Sequence, residues 1–278
     1  MSYKRKFLKP WFIVSHRPEI FIPKGTRKPR NHYNQAMKRI LISTVLFCWL
    51  LVQPEITSAE GSTEIEALLS SGSKDTILLS DRHGSTVRSF NRSYLAMIMS
   101  IWTDIQRTSE HRAILKISEG KQPNAYATKS DGKEVVVVNL AMIDLIGDDR
   151  NAWAALLGHE IAHLKLDHRK EALKRKIPLK IIDWLVERSD PSKAVGIASG
   201  LLTSGIDMRY SRKHERESDY RGTIWAFEAG YDPMGAVSLH EALSERDRIE
   251  TVPFLRSHPT SEERIRRLSE LAKDLEAR

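Results

Sequence analysis

The chain is almost without cysteine, since Cys48 is the only one among its 278 residues. The rest of the sequence therefore excludes structural disulfides, a cysteine nucleophile and thiolate metal sites. Long apolar runs are also scarce. The clearest one, residues 40–52, is too short to span a bilayer comfortably.

Excess positive charge is missing from most of the chain, although the formal net charge is +8. Residues 1–36 carry nine Lys/Arg and one acid, whereas the chain from residue 60 onward is close to neutral with both signs mixed. A near-neutral body gives no argument for nucleic acid binding.

Residues 37–59 have the pattern of a secretory signal peptide. A basic start at Met37 precedes the apolar run, and Thr57 and Ala59 are small residues at −3 and −1 of a cleavage site after Ala59. We therefore expect an exported, periplasmic protein. Residues 1–36 form a basic N-terminal extension, which is a long n-region, an untranslated upstream stretch or an organelle-targeting segment; its prolines disfavour the last.

The remaining chain is predicted to contain a polar lead-in over 60–84 and one domain over 85–278. Periodicity predicts an amphipathic helix over 89–106, whose apolar stripe forms core, and a C-terminal helix over 261–277. The other predicted elements are strands at 113–117 and 134–139, an extended segment at 124–127, an amphipathic helix at 170–188 and a close-packed small-residue helix at 194–206.

The motif that organises the domain is HExxH at residues 159–163, in a helix that Asp148 or Asp149 caps. Positions i and i+4 share a helix face, so His159 and His163 direct their imidazoles the same way and provide half of a zinc site. Glu160 lies beside such a metal, where it can take a proton from water. The same letters also arise by chance, so the interpretation depends on a third ligand.

Glu215 and Asp219 are candidates for completing the site, since they also share one face of a predicted helix. One carboxylate can be a zinc ligand and the other can accept the second N–H of a ligating histidine. His214 is an alternative ligand, and a separate solvated helix is the plain alternative for the whole pair. His168 is expected at the end of the HExxH helix, away from the metal.

The HExxH motif and the Ser-Arg-x-x-Glu-x-x-x-Asp run at 211–219 resemble the gluzincin metallopeptidases of the HtpX and CAAX-prenyl-protease family, metallopeptidase family 48. Residues 123–127, 229–233 and 257–259 match further elements in the family's order. The long apolar spans of integral-membrane members are missing, so the chain is similar to the soluble periplasmic branch.

The resemblance implies an α+β, mostly helical domain of the zincin type, with a small β-sheet and an HExxH active-site helix. It also implies one Zn²⁺ per chain, held by His159, His163 and Glu215. Glu160 is then the general base and acid, and Asp219 supports a ligating histidine, His159.

The function that we expect is that of a zinc metalloendopeptidase acting on protein substrates. The family suggests misfolded or misassembled envelope proteins, with peripheral association with a membrane or with outer-membrane assembly machinery. Two alternatives stay open: a latent or non-catalytic zincin-fold protein that binds clients like a chaperone, and a plain helical protein without zinc.

Two further site predictions concern residues around the cleft. Val136, Val137, Val138 and Asn139 form a strand that either pairs with an extended substrate peptide or is simply an interior strand. His258, in a proline-flanked loop, either caps the open zinc position, faces the substrate oxyanion or is a structural histidine held by Arg264 or a backbone carbonyl.

Overall fold

The computed structural model describes residues 62–71, 74–81, 83–176 and 209–278, all within the unit Glu55–Arg278. The predicted N-terminal extension and signal peptide lie outside these residues. So do the predicted helix at 194–206 and the part of the 170–188 helix that follows residue 176.

The strands form a four-stranded sheet and a separate hairpin. They are β1 (Thr63–Glu64), β2 (Thr76–Ser80), β3 (Thr86–Asn91), β4 (Ile114–Ser118), β5 (Ala125–Ser130) and β6 (Lys133–Asn139). The sheet has the order β1-β4-β6-β5, in which β6 runs parallel to β4 and antiparallel to β5. Strands β2 and β3 form the hairpin.

Helices account for most of the described residues. They are α1 (Ile65–Ser70), α2 (Arg92–Ser109), α3 (Leu140–Ile146), α4 (Arg150–Lys165), α5 (His168–Lys176), α6 (Arg212–Glu228), α7 (Gly235–Asp247), α8 (Pro253–Ser257) and α9 (Glu262–Glu276). Among the residues described, no helix combines the length and the apolar character that a membrane crossing requires.

The core forms around α2, whose predicted apolar stripe is buried. Ile98, Ile101 and Ile105 are fully buried. The helix begins at Arg92, three residues later than predicted, because the preceding residues are extended in β3 and Asn91 caps the helix by accepting from the Ser93 N–H.

The segment predicted as a polar lead-in contributes to this core. Ile65, Ile77 and Leu79 are all buried, and β1 pairs with β4 at the edge of the main sheet. The packed domain therefore begins before residue 85, since three well-spaced apolar side chains suffice to anchor an otherwise polar segment.

Helix α4 is the central element of the domain. Asp149 caps it by accepting from the backbone N–H groups of Asn151 and Ala152, and every residue from 152 to 164 is buried. The helix contacts α2, α6 and α7 and lies against the sheet. A helix buried on all sides holds its polar side chains in fixed positions.

Helix α6 crosses α4 at a pair of glycines. A Cβ atom on Gly158 would lie 2.7 Å from the Gly222 carbonyl oxygen, and one on Gly222 would lie 2.6 Å from the His159 nitrogen. The two backbones are thus in direct contact beside the HExxH motif. This contact fixes the distance between α4 and the acidic side chains of α6.

Candidate metal centre and active site

The two histidines of the HExxH motif point to the same position, as predicted from their spacing. The Nε2 atoms of His159 and His163 are 3.0 Å apart. Burial lowers the pKa of His163 well below its usual value. A neutral imidazole has a free lone pair, which is the form that ligates a metal.

Glu215 reaches the histidines from α6. Its Oε1 lies 3.4 Å from Nε2 of His163, and its Oε2 lies 3.6 Å from Nε2 of His159. Burial alone would raise the pKa of Glu215, but His258 and a hydrogen bond with His163 hold that pKa well below its usual range. The carboxylate is therefore ionised.

His258 joins the same group from the loop between α8 and α9. Its Nδ1 lies 3.2 Å from Nε2 of His159 and 3.3 Å from Oε1 of Glu215. One ligand atom from each of His159, His163, Glu215 and His258 falls within 4.8 Å of the others, and all four residues are buried. These four residues are called the metal-type group below.

This group fits a zinc ion by its chemistry. Imidazole nitrogens and a carboxylate are a donor set that zinc accepts in tetrahedral sites. Both oxygens of Glu160 and Nε2 of His258 are buried without a hydrogen-bond partner among the described residues. Buried polar atoms are normally satisfied, so these atoms fit a site that is completed by a metal ion and water.

Glu160 lies beside the group and is fully buried. Its Oε1 is 3.6 Å from Nε2 of His258. Burial raises the pKa of Glu160, although the nearby His258 and His159 oppose this effect. A carboxyl group with a raised pKa can both accept and return a proton near neutral pH.

Asp219 supports His159, in agreement with the expectation from the resemblance. Its Oδ1 lies 3.1 Å from Nδ1 of His159, the ring nitrogen that faces away from the group. This leaves Nε2 of His159 as the nitrogen available to a metal.

Arg264 on α9 connects the acidic residues with the His258 loop. Its Nε and Nη2 donate to the two oxygens of Asp219 at 2.8 and 2.7 Å, and its Nη1 lies 2.8 Å from Oε2 of Glu215. Nη1 also donates to the Pro259 carbonyl at 2.8 Å. Arg264 therefore holds the acids and the loop backbone rather than the His258 side chain.

His168 and His214 form a second, stacked histidine pair next to the group. Their ring centroids are 4.3 Å apart and their planes differ by 6°. The alternative ligand His214 bonds Glu171 at 2.9 Å and is not a member of the metal-type group. Burial and the neighbouring His214 lower the pKa of His168 to about 4, so this ring is neutral.

His168 is outside the group of candidate ligands, as predicted, but it begins α5 instead of ending the HExxH helix. Asp167 adopts a left-handed backbone conformation with φ of 51°, which ends the run of α4 and starts α5 at His168. The reversal returns the imidazole to His163, with the two Nδ1 atoms 3.2 Å apart. Helical spacing alone could not indicate this contact.

Of the two alternatives left open for residues 136–139, the structure shows an interior strand. Residues 136–139 lie in β6, which is hydrogen-bonded to β4 on one side and β5 on the other. Pairing of a peptide with these residues is therefore excluded, because their backbone has no free edge. Asn139 instead caps α3 by accepting from the Met142 N–H. The edge strand nearest α4 is β5.

An HExxH helix, a glutamate from a second helix and a small mixed sheet define the zincin-like class of metallopeptidase folds. The comparison with protein families agrees with this class. The model described as peptidase family M48 matches residues 84–272, and the chain belongs to that family.

Similar proteins include two mitochondrial enzymes. The mitochondrial metalloendopeptidase OMA1 of Schizosaccharomyces pombe is 27% identical over 179 residues, which are 64% of this chain and 52% of that protein. OMA1 of Arabidopsis thaliana is 27% identical over 117 residues, covering 42% of this chain and 24% of that protein.

A bacterial protein is also similar. The beta-barrel assembly-enhancing protease of Yersinia pestis is 25% identical over 130 residues, which are 42% of this chain and 26% of that protein. The chain thus spans about half, or less, of the length of these curated relatives.

Proposed function

We propose that the protein is a zinc-dependent endopeptidase that hydrolyses peptide bonds in protein substrates. The observation that carries the proposal is the buried group of His159, His163 and Glu215, beside which both oxygens of Glu160 lack a hydrogen-bond partner among the described residues. A zinc ion held by these residues would supply Lewis acidity and would allow water to ionise near neutral pH.

The chain supplies proton transfer through Glu160. Its carboxylate would accept a proton from the attacking water and then return it to the amine of the leaving peptide. Burial favours this cycle, because it raises the pKa of Glu160 toward the working pH. Asp219 and Arg264 hold His159 and Glu215 in place during the cycle.

The test is the variant Glu160→Gln in the full chain, with zinc content and casein cleavage measured together. We expect one zinc per chain in both proteins and cleavage only in the wild type. A variant that cleaves casein as the wild type does would contradict the role of Glu160, and absence of zinc from both would contradict the ligand assignment.

The competing function is a latent or non-catalytic zincin-fold protein with a chaperone-like binding role. The position of His258 favours it, since this side chain contacts Glu215 and lies near Glu160 inside the group. Zinc in both the wild type and Glu160→Gln, with cleavage in neither, would support this function.

We propose further that His258 regulates access to the site. The His258 side chain would have to move away before a substrate peptide bond could lie beside Glu160, because the imidazole is 3.6 Å from that carboxylate. His258→Ala should raise basal cleavage of casein. Unchanged or lower activity would contradict a plug, and a loss of activity would instead indicate a role toward the substrate oxyanion.

We propose export to the bacterial envelope as the setting, with misfolded or misassembled envelope proteins as substrates. The support is the signal-peptide pattern of residues 37–59 and the likeness to a bacterial protease named for beta-barrel assembly. An N-terminus at residue 60 in the periplasmic fraction would support the proposal. An N-terminus within 1–36 in the cytoplasm would contradict it.

A further inference from the structure

The two histidines of the HExxH motif have different partners on the nitrogens that face away from the group. Nδ1 of His159 meets the carboxylate of Asp219 at 3.1 Å. Nδ1 of His163 meets Nδ1 of His168 at 3.2 Å. The function proposed above uses Asp219 and leaves His168 without a role.

The contact between His163 and His168 determines where each ring proton lies. Nε2 of His163 faces Glu215 and His159, so a metal-binding His163 carries its proton on Nδ1. That N–H donates to Nδ1 of His168, which must therefore be the unprotonated nitrogen. The proton of His168 is then on Nε2, 3.3 Å from Oε2 of Glu217.

His168 is held rigidly enough to act as a fixed acceptor. It is only 2% exposed, and the Ser218 hydroxyl lies 3.2 Å from its Nδ1. One face of its ring stacks on His214, which is hydrogen-bonded to Glu171. Within the described ranges, these histidines and acids do not form a second group tight enough to hold a metal.

We propose that His168 is a positioning residue for His163, completing a chain from Glu217 through His168 to the metal-facing nitrogen. The inference rests on the proposed zinc site. A partner on the far nitrogen of a ligating histidine fixes its tautomer and ring orientation, and removing such a partner costs about 10- to 100-fold in metal affinity or activity.

The first test compares His168→Leu with His168→Asn in the full chain, by competition for zinc with a chelator. Leucine removes the acceptor, so its zinc dissociation constant should rise about 10- to 100-fold. Asparagine presents an amide oxygen near the position of Nδ1, so it should retain most of the affinity. Zinc affinity does not depend on a substrate, so it separates positioning from catalysis.

The second test substitutes two partly exposed carboxylates, whose replacement should leave the protein folded. Glu217 and Glu171 each pair with one of the stacked histidines, and their side chains are 45% and 58% exposed. Glu217→Gln removes the negative charge that faces His168 while keeping an amide oxygen there, and it should weaken zinc binding severalfold. Glu171→Gln removes only the negative charge that faces His214 and should leave zinc binding at the wild-type value.

The outcomes are distinct. Wild-type protein that binds no zinc overturns the proposed function and this inference with it. Wild-type zinc binding with unchanged affinity in His168→Leu overturns the inference alone. Equal losses in His168→Leu and His168→Asn, or in Glu217→Gln and Glu171→Gln, show a purely structural role and also overturn it. If His168→Leu does not fold, the carboxylate pair decides.

Discussion

At the scale of single residues, Arg264 pairs with two buried carboxylates of the site. The residue is only 6% exposed, and its guanidinium contacts both Glu215 and Asp219. Burial alone would lower the pKa of Arg264, but the two carboxylates raise it. Each of these ions would be costly to bury by itself.

We predict that Arg264→Met strongly destabilises the metal-free protein, because it leaves two buried carboxylates without their cation. Breaking a buried ion pair in this way costs about 3–5 kcal/mol. Urea unfolding of the variant measures the loss. The matched control is Arg267→Met on the same helix, whose ion pair with Glu263 is half exposed and is worth about 1 kcal/mol or less. Equal losses in the two variants would contradict the role of Arg264.

Single residues were predictable where the signal was local. His159, Glu160 and His163 follow from one helical turn, and Asp149 was one of two predicted caps. Arg264 was considered only as a possible partner of His258 and not of the acids, and His168 was placed away from the metal. Their contacts depend on the packing of α9 against α6 and on the left-handed residue Asp167, neither of which has a periodic signature.

At the scale of elements, the crossing of α4 and α6 positions the acids. Gly158 and Gly222 bring the two backbones into contact, and Glu215 lies two turns before Gly222 on the same helix. A small change in this crossing moves Glu215 relative to both histidines. The glycines therefore act on the site without touching it.

We predict that Gly222→Ala lowers both stability and zinc affinity, because its Cβ would lie 2.6 Å from the backbone of His159. Overpacking of this kind costs about 1–3 kcal/mol. Thermal unfolding and chelator competition measure the two effects. Arg221→Ala, the adjacent exposed position, is the control and should change neither. Unchanged zinc affinity in Gly222→Ala would show that the crossing does not set the site geometry.

The bounds of the helices and strands were largely predictable from the sequence, but the order in which the strands pair was not. The positions of β4, β6 and α9 agree with the periodic patterns to within a few residues. The run of four consecutive valines in β6 does not reveal whether one or both of its edges are paired. Strand order depends on contacts between distant segments, so the sequence left open whether residues 136–139 pair with substrate or lie inside the sheet.

At the scale of the whole molecule, the metal-type group links segments that are far apart in sequence. We predict that zinc stabilises the protein against heat, since an ion that binds only the folded state adds about 4 kcal/mol at a thousandfold excess over its dissociation constant. Calorimetry before and after chelation, with zinc then restored, measures this effect. Magnesium is the control and should not restore stability, because it prefers oxygen ligands. Equal melting temperatures with and without zinc would contradict the site.

The order in which the chain supplies its groups has a consequence during translation. His159 and His163 leave the ribosome first, and Glu215 follows with α6. Arg264, which holds the acids, comes only with α9. A nascent chain that ends before α9 has the imidazoles but lacks the buried cation that stabilises Glu215 and Asp219. The arrangement of these side chains therefore becomes stable only after α9 has been synthesised, because until then two buried carboxylates would lack their cation.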